Sequence, residues 1–74
     1  SEKDGFGEYK YANGDTYIGE FLNGLKHGQG SYSWKEGERY EGEWKEDLME
    51  GKGKFSFADG EVQEGDFKAN QFVN

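Results

Sequence analysis

Cysteine and proline are both absent from the 74 residues, and histidine and methionine occur once each. Without cysteine, neither a disulfide framework nor a thiolate metal site can hold a small chain together, which fits a reducing cytoplasmic setting. Without proline, the 13 glycines do not belong to a collagen-like or polyproline repeat and read as special backbone positions. No apolar run approaches the ~20 residues of a membrane-spanning helix, and no basic-then-apolar signal segment is present. Because Met49 is the sole methionine, the chain is expected to be excised or processed from something longer.

What is present points to a folded chain. Apolar residues make up 31% and charged residues 34%, a balance that alone would favour disorder, but the aromatic share is 18% and each ring buries a large area. The length suits one small domain near the lower limit for an unaided core. A net charge of −7 repels phosphate backbones and anionic lipid surfaces, so neutral or basic partners are favoured and nucleic acid is not. Lys10, Lys26, His27 and Lys35 make the first half less acidic than the stretch from Glu36 to Glu50, an asymmetry read as solvated surface.

The inventory for catalysis is short. His27 is the only imidazole, and Ser1, Ser31, Ser33 and Ser56 have no base in a triad-like arrangement. Glu41 and Glu43 sit two apart on one strand face, yet with sixteen acidic residues such pairs arise automatically and read as a solvated face. Asp59-Gly60-Glu61 lacks the alternating oxygen ligands of a calcium loop, and Gly51-Lys52-Gly53-Lys54 lacks the spacing and hydroxyl of a phosphate loop. No enzyme activity, no cofactor and no metal are expected.

The organising feature is a period of 23 residues. It overlays Gly5, Gly28 and Gly51; Gly7, Gly30 and Gly53; Gly14, Gly37 and Gly60; and Gly19, Gly42 and Gly65. The aromatics follow: Tyr9, Tyr32 and Phe55; Tyr11, Trp34 and Phe57; Tyr17 and Tyr40; Phe21, Trp44 and Phe67. Each unit reads as two short strands joined by a turn, the first full unit having strands near Tyr17 to Phe21 and Gly30 to Trp34 with a linking segment Leu22 to His27. Turn chemistry recurs in Asn23-Gly24, Ala12-Asn13-Gly14-Asp15, Lys35-Glu36-Gly37-Glu38 and Ala58-Asp59-Gly60-Glu61. The predicted fold is all-β, an elongated, twisted, single-layer antiparallel sheet of consecutive hairpins with six or seven strands. The units run 1–16 (partial), 17–39 and 40–62 (full) and 63–74 (partial or capping).

Alternation along strands puts aromatics and glycines on one face and charges on the other. A glycine on the aromatic face lets a neighbouring ring lie over the backbone. A single layer leaves an apolar strip accessible, and such strips mark interaction sites. The expected partner-binding residues are Tyr9, Tyr11, Tyr17, Phe21, Tyr32, Trp34, Tyr40, Trp44, Phe55, Phe57 and Phe67, with Trp34 and Trp44 as the strongest anchors.

These residues resemble the MORN (membrane occupation and recognition nexus) repeat. Its Tyr-x-Gly-x-aromatic opening is matched by Tyr17-Ile18-Gly19-Glu20-Phe21 and Tyr40-Glu41-Gly42-Glu43-Trp44, and its Gly-x-Gly element by Gly5-Phe6-Gly7, Gly28-Gln29-Gly30 and Gly51-Lys52-Gly53. Departures lie at Asp47 and in the last segment, where Gln63, Asn70 and Asn74 replace the repeated Tyr and Gly; that segment reads as a worn or capping unit. The resemblance implies a cytoplasmic scaffold at membranes, cilia or the cytoskeleton that grips a protein or peptide segment or self-associates as a homo-oligomer. It implies phospholipid association as an alternative, and a regulatory module of a larger enzyme as another.

Overall fold

The computed structural model describes residues 4–73. The strands are β1 (Gly5–Lys10), β2 (Thr16–Leu22), β3 (Leu25–Ser33), β4 (Arg39–Lys45), β5 (Leu48–Ser56), β6 (Val62–Lys68) and β7 (Gln71–Phe72). Each pairs antiparallel with the next, so the order across the single seven-stranded sheet is the order in the chain. The expectation attached to Asn74 lies outside the described residues.

Two kinds of connection alternate. The long ones, Tyr11–Asp15, Trp34–Glu38 and Phe57–Glu61, are closed by the same pair of backbone bonds each time: the first residue donates to the last at 2.9, 2.9 and 2.7 Å, and Gly14, Gly37 and Gly60 donate back at 3.0–3.1 Å. The short ones are two-residue turns at Asn23-Gly24, Glu46-Asp47 and Ala69-Asn70. Both residues of each hold positive φ (53 and 80, 48 and 72, 49 and 72), the mirror-image turn whose twist matches the flanking strands. The linking segment is therefore shorter than the sequence suggested: Leu22 faces Leu25, and β3 starts at Leu25 rather than Gly30.

The register places like on like. Tyr17 faces Tyr32 and Gly19 faces Gly30 across β2 and β3; Tyr40 faces Phe55 and Gly42 faces Gly53 across β4 and β5. The register slips once in each of these pairs, between Gly19 and Phe21 and between Gly42 and Trp44, where Glu20 and Glu43 each stand opposite three residues, 27–29 and 50–52, so the bulged strands are β3 and β5. A bulge bends its strand and disrupts the ladder locally. The Tyr17 hydroxyl donates to the Glu20 carbonyl at 2.9 Å, and the Tyr40 hydroxyl to that of Glu43 at 3.0 Å, so the ring that packs the core also ties down the irregularity.

The core is a chain of edge-on rings. Phe21 meets Tyr17 at 5.0 Å, Tyr17 meets Trp44 at 5.7 Å, Trp44 meets Tyr40 at 5.1 Å and Tyr40 meets Phe67 at 4.9 Å, with interplanar angles of 80–90°. Edge-to-face geometry sets the positive rim of one ring against the negative face of the next, adding about 0.5–1.5 kcal/mol per pair beyond area burial. Glycine makes this possible. A Cβ on Gly30 would sit inside the Tyr17 ring and one on Gly53 inside the Tyr40 ring, so each tyrosine lies over bare backbone of the following strand.

Candidate functional site

All the buried rings stand on even-numbered strands. Tyr17 and Tyr40 are 0% exposed, and Phe21, Trp44 and Phe67 are nearly as enclosed. Trp44, expected to be one of two anchors, is 5% exposed and its indole N–H donates to the Gly30 carbonyl at 3.2 Å. Its surface is largely spent holding successive hairpins together, as is that of Tyr17, Phe21, Tyr40 and Phe67, so Tyr17, Phe21 and Tyr40 offer a partner almost nothing to touch, and Trp44 and Phe67 only the small part that borders an open hollow.

The remaining expected residues lie on the odd-numbered strands or just beyond their ends, and they form a second row. Tyr9 touches Tyr11 (4.6 Å), Tyr11 touches Tyr32 (5.6 Å), Tyr32 touches Trp34 (4.6 Å), Trp34 touches Phe55 (5.3 Å) and Phe55 touches Phe57 (4.8 Å). These rings are half-buried, and the two ends of the row, Tyr9 and Phe57, are 40% and 37% exposed. The Tyr11 hydroxyl and the Trp34 indole N–H make no hydrogen bond among the described residues, unlike the indole N–H of Trp44.

Two polar residues that the sequence placed only in a turn and on a solvated surface shape this row. Asp15, 7% exposed, accepts from the Tyr32 hydroxyl at 2.7 Å, from the Lys35 backbone N–H at 2.9 Å and from the Asn13 amide at 3.2 Å. These bonds, the one from Tyr32 foremost, hold its carboxyl below the usual carboxylate range. Burial, then the bond to Asp15, raises the Tyr32 hydroxyl, while burial and the nearby Asp47 charge raise that of Tyr11. The tie fixes the outer edge of Tyr32 to the preceding loop.

Lys26 is the larger surprise. Expected on a solvated surface, it faces Phe21 on the aromatic side, and its side chain is only 13% exposed. Its Nζ lies 5.2–5.8 Å from the ring centres of Tyr11, Tyr17, Tyr32 and Trp44 and 3.3 Å from Asp47. An ammonium over ring faces is attracted by their quadrupoles, and its methylene stem fills the gap between them. The signal was present: the 23-residue shift aligns Lys26 with Met49 and Phe72, both apolar.

Asp47 also accepts from the Lys26 backbone N–H at 2.7 Å while its own N–H donates to the Lys26 carbonyl at 3.0 Å; Asn70 repeats both bonds with Met49 at 2.9 and 3.2 Å. The short turns are thereby stapled to the preceding hairpin. Glu43, expected to be merely solvated, accepts from the Lys52 N–H at 2.9 Å, whereas Glu41 makes only an exposed ion pair with Arg39 at 2.9 Å.

The aromatic side carries two open hollows. One, of about 330 Å³, is bordered by Lys26, Tyr32, Trp34, Trp44, Asp47 and Met49. The other, of about 200 Å³, is bordered by Met49, Phe55, Phe57, Phe67, Asn70 and Phe72. Adding 23 to these six residues of the first gives the six of the second, and only Asn70 in the first and Gln63 in the second stand outside the correspondence, so one hollow is the repeat image of the other. On the reverse side, a further depression of about 440 Å³ is lined by His27, Glu43, Lys45 and Glu50 among others. No group of three or more metal-ligating side chains converges among the described residues.

A single sheet of in-phase hairpins, packed by rings over glycine and open along one aromatic row, defines a β-hairpin repeat protein. The chain belongs to the MORN repeat family, whose pattern matches residues 2–16, 17–39 and 40–62. A search of the curated proteins found no match.

Proposed function

We propose that this module holds a neutral or basic protein segment against the row Tyr9, Tyr11, Tyr32, Trp34, Phe55 and Phe57. The observation that carries the reading is that these six rings touch one another in sequence and remain partly open, while the five core rings are closed. Core rings stabilise the fold, and open rings are left for a partner. Burying one open aromatic at an interface is worth roughly 2 kcal/mol or more when it sits at the centre of the contact. Trp34 has that position, between Tyr32 and Phe55. The net charge of −7 steers basic segments inward and disfavours an anionic membrane.

Selecting peptides from a random displayed library tests this. Selected sequences should be neutral or basic and should lose binding to Trp34→Ala, with Phe6→Ala on the reverse face as the unaffected control. Peptides whose binding ignores Trp34→Ala but is lost on charge reversal of Glu41 would move the site to the charged face.

A further inference from the structure

The two hollows are one repeat apart, which is two strands. Strands lie about 4.8 Å apart, so the spacing along the row is roughly 9.6 Å. An extended segment in the polyproline II conformation rises about 3.1 Å per residue with three residues per turn, so one turn advances roughly 9.3 Å. A segment with an apolar residue at every third position would therefore meet successive hollows in phase. A β-strand laid in the same direction would not, because same-side residues recur about every 6.6–6.8 Å.

Three further features suit such an occupant. Its backbone makes no internal hydrogen bonds, so its carbonyls need donors, and the Trp34 indole N–H and Tyr11 hydroxyl are uncommitted among the described residues. Flat, half-open Tyr and Trp rings offer the surface on which proline rings pack with little loss of conformational entropy, since the ligand is already extended. Charge is complementary to a basic flank: the loops following Tyr11, Trp34 and Phe57 carry Asp15, Glu36, Glu38, Asp59 and Glu61 against Lys35 alone. The single cation inside the row, Lys26, is already paired with Asp47. The 74 residues contain no proline, so none of their own segments can fill this role.

From this match of periods we propose, resting on the reading of the row given above, that the occupant is a proline-rich, basic segment in the polyproline II conformation. It crosses the strands and seats every third residue in a hollow bordered by Tyr32 and Trp34 or by Phe55 and Phe57. A contact over both hollows takes about six residues.

The experiment is titration of the 74-residue chain with three lysine-flanked peptides of equal length and charge, followed by Trp fluorescence and calorimetry. One is an oligoproline of about nine residues; one alternates valine and threonine; one is glycine and serine. The oligoproline should bind at least roughly tenfold more tightly than the others, and Trp34→Ala or Phe57→Ala should weaken it roughly tenfold. Trp34→Phe, which keeps a ring, guards against a folding defect and should retain most of the affinity. A host peptide with proline at every third position should outbind one with proline at every fourth. If a non-proline peptide binds as well and still depends on Trp34, the polyproline inference fails while the aromatic row stands. If no peptide binds, or binding is indifferent to Trp34, both fail.

Discussion

The ring of Tyr17 lies over Gly30 and that of Tyr40 over Gly53, and the third glycine of the series, Gly7, has no atom within 4 Å of the place where a Cβ would be added. Three glycines that look equivalent in sequence therefore differ in what they tolerate. Gly30→Ala and Gly53→Ala should each destabilise by about 1–3 kcal/mol through overpacking against a tyrosine that has nowhere to move. Gly7→Ala should be neutral or slightly stabilising, since a strand glycine is itself unfavourable. Urea melts of the three variants would decide it, and equal costs at all three would contradict the account of rings over bare backbone.

The same tyrosines set a limit at high pH. Burial, reinforced by Glu20 and Glu43 respectively, pushes the Tyr17 and Tyr40 hydroxyls up to about 12. A folded value above the unfolded one, near 10, favours the protonated form in the native state. The stability this contributes is present below pH ~10 and is lost as pH rises toward about 12. Asp15 acts in the opposite sense. Its lowered value means that its contribution is present above the unfolded value of about 3.9 and disappears as pH falls through the folded one. Thermal melts across the range should show loss at both ends. Asp15→Asn should flatten the acid limb, and an unchanged limb would show that the tie from Tyr32 carries no linkage.

At the scale of the elements, the short turns show where repetition was relaxed. Asn23-Gly24 suits positive φ at both positions, whereas Glu46-Asp47 and Ala69-Asn70 hold the same conformation without glycine. For ordinary residues this costs about 1–2 kcal/mol each, less for Asp and Asn. Asp47 and Asn70 offset that by their bonds to Lys26 and Met49. Glu46 has no such compensation, so Glu46→Asn should stabilise by about 0.5–1 kcal/mol. Asp47→Gly relaxes the backbone but removes the staple, and should destabilise instead. A gain in denaturation midpoint for Asp47→Gly would mean that the staple contributes less than the strain.

The sequence period was enough to read these elements as antiparallel hairpins in order, because ring and glycine recur in phase wherever a strand must pack. Strand ends were less legible. Leu25 to His27 look like loop residues until the turn between Leu22 and Leu25 is known to need only two positions. Lys26 was hidden for a different reason: an isolated lysine reads as surface, and only surrounding rings and a paired carboxylate make its burial tolerable.

Across the whole molecule, the extents of 37 × 24 × 15 Å describe a thin slab whose aromatic side has no second layer among the described residues. Alternation placed every expected ring on that side but could not separate Trp34 from Trp44, since both obey the same period-two rule. The separation comes from three dimensions: even strands carry the enclosed rings and odd strands the open ones. The candidate surface is thus about half of the set that the pattern supplied, and its most central member is Trp34.

The most direct measurement is mapping of aromatic proton and backbone amide shifts by NMR as a bound segment is titrated in. The rings of Tyr11, Tyr32, Trp34, Phe55 and Phe57 should move first and saturate together, while Tyr17 and Tyr40 shift little. Shifts concentrated on Glu41, Lys54 and Glu64, with the open rings unmoved, would contradict the claim that the aromatic row is the working surface of this protein.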